Sequence, residues 1–436
     1  MRMAIKTLGC RANRADSDRL AEKIIAWGGD GVEVFEFNNA DDRIDDVDVC
    51  LVNTCTVTHV ADRKSRSATS VFRRVYPSAK IVVLGCGPRV DRSGYEKSES
   101  VDFVASEPEE VLKFLEELGC DRGKSKAGVR GERTRAVLRI QDGCNNFCTY
   151  CIIPFARGRE KSVPADEVLT DLHEKVSAGF KEIVLTGINI GNWEDSANGC
   201  KNLAVLIMRI LDETSLERLR LSSIEPQNFV SEFEELLAPE KYAGRFCPHL
   251  HMSLQSGSDS ILKAMKRRYD TLLYKKVAHK LRELSPGIAL TTDVIVGFPG
   301  ETDENFQESF DFVREIGFAK VHVFPYSKRV GTKAALMDGQ VPEQAKKQRA
   351  KKMQDLSDEL REEFFESQVG QVMPVLFEQK VRGRTDFWEG FTPNYIKVRV
   401  CFDGDLLNEI ADVRLGRLAD GGDRAKAAYC EATLCN

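Results

Sequence analysis

Short apolar segments alternate with amphipathic ones along the first quarter of the chain. Three apolar segments have the length of buried strands, and they lie at residues 3–8, 47–52 and 81–84. In the helical pattern after the first of them, Leu20, Ile24 and Trp27 fall on one face. Strands that alternate with helices are typical of parallel sheets. We therefore predict an α/β fold, with a three-layer parallel α/β domain over residues 1–118.

The middle of the chain repeats this alternation. A polar, glycine-rich linker is predicted at residues 119–134. Six strand-like segments separated by helical patterns follow, at residues 136–141, 182–186, 219–223, 250–254, 290–296 and 320–324. A long helical pattern occupies residues 342–366. Six β/α units are too few for a closed eight-stranded barrel, and we predict that residues 135–366 form one domain.

The pattern changes again over residues 367–432. Short alternating segments at 373–378, 395–401 and 412–415, punctuated by Gly and Pro, indicate a small β-barrel. This region mixes cations, which contact phosphate, with aromatic residues, which stack on bases in single-stranded nucleic acids. The candidate RNA-binding residues are Lys380, Arg382, Arg384, Phe387, Lys397 and Arg399. We expect some of the aromatic residues to lie in the barrel core instead.

Composition narrows the class of protein. A chain of 436 residues suggests two to four domains, and 42% hydrophobic with 30% charged residues is ordinary for a soluble protein. No apolar run approaches about 18 residues, and the N-terminus reads as a strand and not as a signal peptide, so a cytoplasmic location is expected. The net charge of −5 does not indicate a nucleic-acid binder, although a local basic patch is compatible with it. Thirteen cysteines in a reducing compartment favour metal ligation over disulfides.

Three cysteines follow the first strand of the central region. Cys144, Cys148 and Cys151 have the spacing C-x3-C-x2-C. Three thiolates on one loop can ligate three irons of a [4Fe–4S] cube and leave the fourth iron open, as a catalytic site requires. A zinc knuckle and a disulfide loop are the alternatives. Zinc would need a fourth Cys or His close by, and the nearest histidine, His173, lies on a predicted helix.

Three further cysteines each follow a predicted strand of the N-terminal domain. Cys10, Cys55 and Cys86 come one to three residues after a strand end. Loops at the carboxyl ends of parallel strands gather at one edge of a sheet, so these cysteines are candidate ligands of a second cluster with an open iron. The alternative is three ordinary buried residues. Cys50 lies inside a strand and is expected in the core.

The loop that carries Cys144, Cys148 and Cys151 resembles the cysteine loop of the radical S-adenosylmethionine (SAM) enzymes. It carries an aromatic residue, Tyr150, before its last cysteine, and the six β/α units resemble the partial (β/α)6 barrel of that family. The resemblance implies that the open iron binds SAM. Together with Tyr150, residues after the predicted strands are candidate SAM contacts, namely Gly187, Asn189, Ser222, Glu225, Gln255 and Asp293. The alternative for Gln255 and Asp293 is a structural hydrogen bond inside the barrel.

The order of the three regions is similar to that of the methylthiotransferases, with an N-terminal three-cysteine domain, a radical-SAM barrel and an RNA-binding TRAM domain. Several strings resemble the threonylcarbamoyladenosine tRNA methylthiotransferases, including Thr-Leu-Gly-Cys-Arg-Ala-Asn, Asn-Thr-Cys-Thr-Val-Thr and Cys-Thr-Tyr-Cys-Ile-Ile-Pro-Phe-Ala-Arg-Gly. Gly-Pro-Arg after Cys86 and Arg-Ala after Cys10 depart from the commoner residues of that subfamily. Neither departure removes a ligand.

This resemblance implies a radical reaction on tRNA that uses two [4Fe–4S] clusters and SAM. A 5′-deoxyadenosyl radical would take hydrogen from C2 of N6-threonylcarbamoyladenosine next to the anticodon, the cluster on Cys10, Cys55 and Cys86 would supply sulfur, and a second SAM would supply the methyl group. A one-electron donor protein is the implied partner besides tRNA, and we expect a monomer that binds no membrane. The alternatives are isopentenyladenosine in tRNA or a ribosomal-protein aspartate as substrate, and a non-catalytic Fe–S protein that binds RNA.

Overall fold

A computed structural model describes residues 1–37, 43–119, 134–238, 241–419 and 429–435. The described residues divide into two compact units. The first unit draws on Met1–Glu132, Asp142–Lys161 and Ser327–Ala335, and the second on Arg133–Gln141, Ser162–Tyr326 and Leu336–Asn436. Most of the predicted linker at 119–134 lies outside the described residues. Within the described ranges, no helix is both long and apolar enough to cross a lipid bilayer.

The first unit is built on a five-stranded parallel sheet with the order β2-β1-β3-β4-β5. Its strands are β1 (Arg2–Thr7), β2 (Glu33–Glu36), β3 (Val49–Thr54), β4 (Lys80–Gly85) and β5 (Phe103–Val104). Its helices are α1 (Arg11–Gly28), α2 (His59–Val75), α3 (Cys86–Glu96), α4 (Pro108–Glu117) and α5 (Ile153–Arg157). Leu51 packs into one hydrophobic cluster and its neighbour Val52 into another. Both faces of the sheet are therefore buried, which explains the continuous apolar strands.

The central strands belong to the second unit and are parallel to one another. They are β6 (Arg135–Arg139), β9 (Glu182–Thr186), β10 (Arg218–Leu221), β11 (Ser223–Ile224), β12 (His249–Met252), β13 (Ala289–Val296) and β14 (Lys320–Pro325). They form two sheets, β10-β9-β6 and β11-β12-β13-β14. The predicted strand at 219–223 is broken at Ser222, where the chain passes from one sheet to the other.

Helices cover these strands and complete the main core. They are α6 (Ala165–Ser177), α7 (Leu203–Glu213), α8 (Glu232–Leu237), α9 (Asp259–Ala264), α10 (Thr271–Leu284), α11 (Asp303–Ile316) and α12 (Glu343–Glu366). Two-residue strands β7 (Gln141–Asp142) and β8 (Lys161–Ser162) flank the 144–151 cysteine loop in sequence. Short 3-10 helices occupy Gly29–Gly31, Ile190–Asn192, Ser196–Asn198, Pro226–Asn228 and Lys333–Leu336. Met353, Leu356 and Leu360 of α12 join the same core as the strands.

The last part of the second unit is a closed barrel with the order β15-β16-β17-β19-β18. Its strands are β15 (Val372–Val381), β16 (Arg384–Phe391), β17 (Lys397–Cys401), β18 (Ile410–Ala419) and β19 (Tyr429–Leu434). Trp388 is buried in its core, whereas Phe387 is only half-buried. The predicted small β-barrel is thereby confirmed, as is the overall α/β class.

Candidate functional site

Three adjacent strands of the first unit each end in a cysteine. Because β1, β3 and β4 are neighbours and parallel, their carboxyl ends lie at one edge of the sheet. Cys10 comes three residues after β1, and Cys55 and Cys86 directly follow β3 and β4. Cys10 is exposed, and the other two are buried. The predicted convergence of strand-end cysteines is therefore present in the structure.

Glycines allow these loops to pass close to one another. Gly9 has a φ of +98°, and a Cβ atom there would lie 2.8 Å from Cys55 Sγ. Gly85 has a φ of +94°, and a Cβ atom there would lie 2.2 Å from Asn53 Oδ1. A larger residue at either position would combine an unfavourable backbone conformation with a steric clash.

Hydrogen bonds fix the backbone of the loop after β3, which carries Cys55. Ser65 Oγ, on α2, accepts from Cys55 N at 3.0 Å and donates to Cys55 O at 2.9 Å. Thr58 is the N-cap residue of α2, and its side chain accepts a hydrogen bond from Ala61 N. The position of Cys55 is thus set by a helix that has a defined N-terminal cap.

Two buried asparagines tie the strand-end loops together. Asn13 Nδ2 donates to Leu8 O and to Thr54 O, both at 2.8 Å. Asn53 Nδ2 donates to Asn13 O and to Ser17 Oγ, also at 2.8 Å. Both side-chain amides therefore donate their hydrogen bonds to backbone carbonyls and to Ser17, and not to the thiol sulfurs.

Burial makes two of the three thiols hard to ionise. It raises the pKa of Cys55 to about 11, and the charges of Cys10 and Cys86 act in the same direction. Burial also raises the pKa of Cys86, whereas the Arg157 guanidinium lowers it. Since metal binding requires thiolates, bound iron would supply the positive charge that favours them.

The three thiols suit a cluster better than a single ion. In the described part of the chain, no three Cys, His, Asp or Glu side chains are grouped so as to hold one metal ion. A [4Fe–4S] cube is larger than an ion, and its ligand sulfurs stand correspondingly farther apart. Cysteines on three separate loops at one sheet edge are therefore candidate ligands of a cluster and not of one ion.

The second set of cysteines lies on a loop that closes on itself. Cys144 N donates to Gly158 O at 3.1 Å, and Cys151 N donates to Cys148 O at 3.0 Å. Gly143 has a φ of +69°, and a Cβ atom there would lie 2.0 Å from Arg159 O. Cys148 is buried, whereas Cys144, Cys151 and Tyr150 are partly exposed. The loop thus leaves two of its three cysteines partly exposed.

Arg157, which the sequence reasoning did not single out, connects this loop to the strand-end cysteines. It is the last residue of α5, and its side chain is only 2% exposed. Its Nε donates to Cys86 Sγ at 3.3 Å. The two terminal nitrogens bind Asp142 at 3.0 Å and Asp16 at 2.7 Å, and the second also donates to Asn13 Oδ1. One buried cation therefore touches both cysteine-bearing parts of the first unit.

The segment 327–335 also belongs to this arrangement. Arg329, which is 7% exposed, donates to Thr56 Oγ1 and lies 3.3 Å from His59 Nδ1. Ala334 N donates to Thr149 O at 2.8 Å. This segment therefore contacts the residues after Cys55 and the 144–151 loop. Sequence spacing gave no sign of it, because its partners are more than 180 residues away.

Two candidate SAM contacts in the second unit have buried polar atoms without a hydrogen-bond partner among the described residues. These are Asn189 Nδ2 and Ser222 Oγ. Both residues follow β-strands of the central region, and Gly187 packs close to Gln141 O, where a Cβ atom would come within 2.6 Å. Gln141 Oε1 accepts from Asn189 N at 2.8 Å and holds this loop in place. Orphaned polar atoms of this kind fit a site that a polar ligand completes.

The remaining candidates already have partners. Glu225 forms an ion pair with Arg267 and accepts from Gln227. Asp293 Oδ2 lies 3.3 Å from His251 Nε2, and Asp293 O accepts from Gln255 N at 2.8 Å. Gln255 has a φ of +69°. The Asp293 side chain therefore already has a partner, whereas the bond of Gln255 joins backbone atoms.

The candidate RNA-binding residues fall into two groups on the barrel. Lys380, Arg382 and Arg384 are exposed, and the Arg384 guanidinium lies 4.2 Å from the Phe387 ring centroid. Lys397 and Arg399 are half-buried, and both form ion pairs with Glu389, at 2.7 Å and 2.9 Å. The first group is the more exposed of the two, although Arg384 also pairs with Asp386 at 3.4 Å.

Comparison with known proteins identifies the regions that carry these residues. A family model described as the radical SAM superfamily matches residues 138–313, and one described as uncharacterized protein family UPF0004 matches residues 2–106. The first range contains the 144–151 cysteine loop, and the second contains Cys10, Cys55 and Cys86. The two sets of cysteines therefore lie in two separately recognised families.

Whole-chain relatives are tRNA-modifying enzymes by name. The chain is 36% identical to threonylcarbamoyladenosine tRNA methylthiotransferase MtaB of Bacillus subtilis, over 95% of this chain and 93% of the relative. It is 36% identical to the MtaB protein of Aquifex aeolicus, over 92% and 96%. It is 31% identical to tRNA-2-methylthio-N(6)-dimethylallyladenosine synthase of Acetivibrio thermocellus, over 94% and 88%.

Solved structures agree on the fold. The radical S-adenosylmethionine methyltransferase TsrM of Kitasatospora setae superposes with a TM-score of 0.54 at 16% identity, covering 74% of each chain. The two family models match consecutive parts of the chain, and the relatives match it nearly end to end. This chain belongs to the MtaB-like methylthiotransferase family of radical SAM enzymes.

Proposed function

We propose that this protein converts N6-threonylcarbamoyladenosine next to the tRNA anticodon into its 2-methylthio derivative. The observation that carries the proposal is the arrangement of the first unit, which holds both three-cysteine sets and in which Arg157 contacts Cys86 of one set and Asp142, two residues before Cys144 of the other. The name and the near-complete overlap of the MtaB relatives support the choice of substrate.

Each set of cysteines has its own task in this proposal. Cys144, Cys148 and Cys151 hold the radical-SAM cluster, and Cys10, Cys55 and Cys86 hold the auxiliary cluster. When bound, the two [4Fe–4S] clusters and SAM supply an organic radical, a transferable sulfur and a methyl group. In the second unit, the buried polar atoms Asn189 Nδ2 and Ser222 Oγ are available to hydrogen-bond a polar ligand such as SAM.

The C-terminal barrel is the proposed tRNA-binding surface. Lys380, Arg382 and Arg384 are exposed cations, and half-buried Phe387 offers an aromatic face beside Arg384. Cations and aromatic faces together suit a single-stranded loop. We further propose that the enzyme acts in the cytoplasm as a monomer and receives single electrons from a donor protein.

Mass spectrometry of tRNA nucleosides tests the substrate directly. Reconstituted protein, SAM and dithionite are incubated anaerobically with tRNA that carries threonylcarbamoyladenosine and, separately, with tRNA that carries isopentenyladenosine. We expect a methylthio mass on the first nucleoside alone. A methylthio product on isopentenyladenosine would instead favour the reaction named for the Acetivibrio relative. RNA binding without SAM turnover in either reaction would favour a non-catalytic Fe–S protein.

A further inference from the structure

The Arg157 side chain has an unusual set of partners for a buried ion pair. Two carboxylates, Asp16 and Asp142, already satisfy its charge. Its Nε nevertheless points at a thiol, Cys86 Sγ, at 3.3 Å. A guanidinium that served only to anchor α5 would not need this contact. The geometry therefore gives one of the proposed auxiliary-cluster ligands a buried, permanently charged hydrogen-bond donor.

We infer that Arg157 is a positioning residue that sets the reduction potential of the cluster on Cys10, Cys55 and Cys86. This inference rests on the proposed function only in that these cysteines hold a cluster. Reduction adds one negative charge to the cluster. A hydrogen bond to a ligand sulfur and a nearby cation stabilise that added charge and raise the potential. The effect is strong because the guanidinium is buried, where solvent screens charges little.

The place of Arg157 in the chain gives this contact a second consequence. Arg157 lies six residues after Cys151, at the end of the short helix α5. The short helix α5 therefore joins this guanidinium to the loop that carries Cys144, Cys148 and Cys151.

Charge balance around Arg157 predicts opposite effects for two substitutions. Arg157→Gln removes the cation and leaves Asp16 and Asp142, so the auxiliary-cluster potential becomes more negative. Asp16→Asn removes one of the two carboxylates and keeps the guanidinium, so the potential becomes less negative. A purely structural role would give no such opposition in sign.

The test is an anaerobic redox titration of the full-length holoprotein, followed by electron paramagnetic resonance. The auxiliary-cluster signal is the one that the Cys55→Ala variant lacks. The matched control is Arg14→Gln, on the same helix as Asp16, because the Arg14 side chain pairs with Glu36 and Asp18. We expect a negative shift for Arg157→Gln, a positive shift for Asp16→Asn and no shift for Arg14→Gln.

Several results would overturn the inference. Unchanged potentials in both variants, shifts of the same sign, or an equal shift in the control would each do so. If Arg157→Gln loses the auxiliary iron, Asp16→Asn decides the matter alone, and an unchanged or lowered potential rejects the inference. The titration contains no tRNA, so failure of the proposed substrate would leave these shifts unaffected.

Discussion

Individual cysteines of this protein differ widely in their surroundings. Cys50 lies inside β3, and burial raises its pKa to about 12. Burial raises the pKa of Cys55 to about 11. Cys10, Cys401 and Cys435 are exposed. Because the thiolate is the reactive form, a buried cysteine with a raised pKa should react more slowly than an exposed cysteine.

Alkylation of the iron-free protein should reveal this separation. With iodoacetamide at pH 8, Cys10, Cys401 and Cys435 should react first, whereas Cys50 should react only after unfolding. Peptide mass spectrometry at successive times gives the order, and a sample in denaturant provides the reference for complete reaction. Labelling of Cys50 as fast as Cys401 in native protein would contradict the burial of β3.

The candidate ligand cysteines could be located from the sequence one residue at a time, whereas Arg157 could not. Each cysteine follows a strand end or belongs to a compact spacing, and both are visible in a linear chain. The partners of Arg157 come from three stretches around residues 13–16, 86 and 142. Only the folded chain brings these stretches together, so no local pattern could indicate the role of Arg157.

At the scale of elements, a buried ion pair joins two central strands. Glu182 of β9 and Arg220 of β10 have fully buried side chains, and their atoms lie 2.6 Å apart. Burial opposes ionisation of Glu182, but Arg220 and its neighbours hold its pKa below the usual value. Arg220 also donates to Pro393 O at 2.8 Å, in the hairpin between β16 and β17. The pair therefore links the central sheet with the C-terminal barrel inside the second unit.

Replacing Glu182 should destabilise the second unit strongly. Glu182→Ala would leave Arg220 as an uncompensated buried charge, which costs about 3–5 kcal/mol. Asp355→Asn is the control, because its pair with Lys351 is exposed, and it should cost about 0–1 kcal/mol. Urea denaturation midpoints measure both changes. Equal, small shifts in the two variants would show that the Glu182 pair carries no stability.

Sequence patterns located long elements better than short ones. The helix predicted at 342–366 is α12 (Glu343–Glu366), and the strand predicted at 182–186 is β9. The two-residue strand β5 was missed because its few hydrogen bonds depend on pairing with β4. The break at Ser222 was missed because strand pairing, which the local sequence does not show, places β10 and β11 in different sheets.

At the scale of the whole molecule, tRNA binding should depend on the exposed cations of the barrel. Combined Lys380→Ala, Arg382→Ala and Arg384→Ala substitutions should weaken binding and flatten its salt dependence, by about one unit of slope for each lost phosphate contact. Arg399→Ala should do less, because Arg399 is half-buried and paired with Glu389. Filter binding at several salt concentrations gives both slopes. A larger loss from Arg399→Ala would place the RNA surface elsewhere on the barrel.

The order of the regions along the chain did not reveal which segments fold into the same compact unit. Residues 142–161 follow the first central strand, yet they join the N-terminal sheet in one compact unit, as do residues 327–335. The predicted boundaries at 118, 135 and 366 describe segments of sequence, and they stay predictions. Contacts such as Arg157 with Asp16 and Ala334 with Thr149 determine the grouping, and such contacts leave no trace in local composition.

The most direct test of the account compares Cys55→Ala and Cys148→Ala with the wild type in anaerobic reconstitution. We predict about eight irons per wild-type chain and about four in each variant. Cys55→Ala should still form 5′-deoxyadenosine from SAM but no methylthiolated tRNA, and Cys148→Ala should form neither. Methylthiolated tRNA from Cys55→Ala, or about four irons in the wild type, would contradict the claim that two separate three-cysteine clusters divide the reaction.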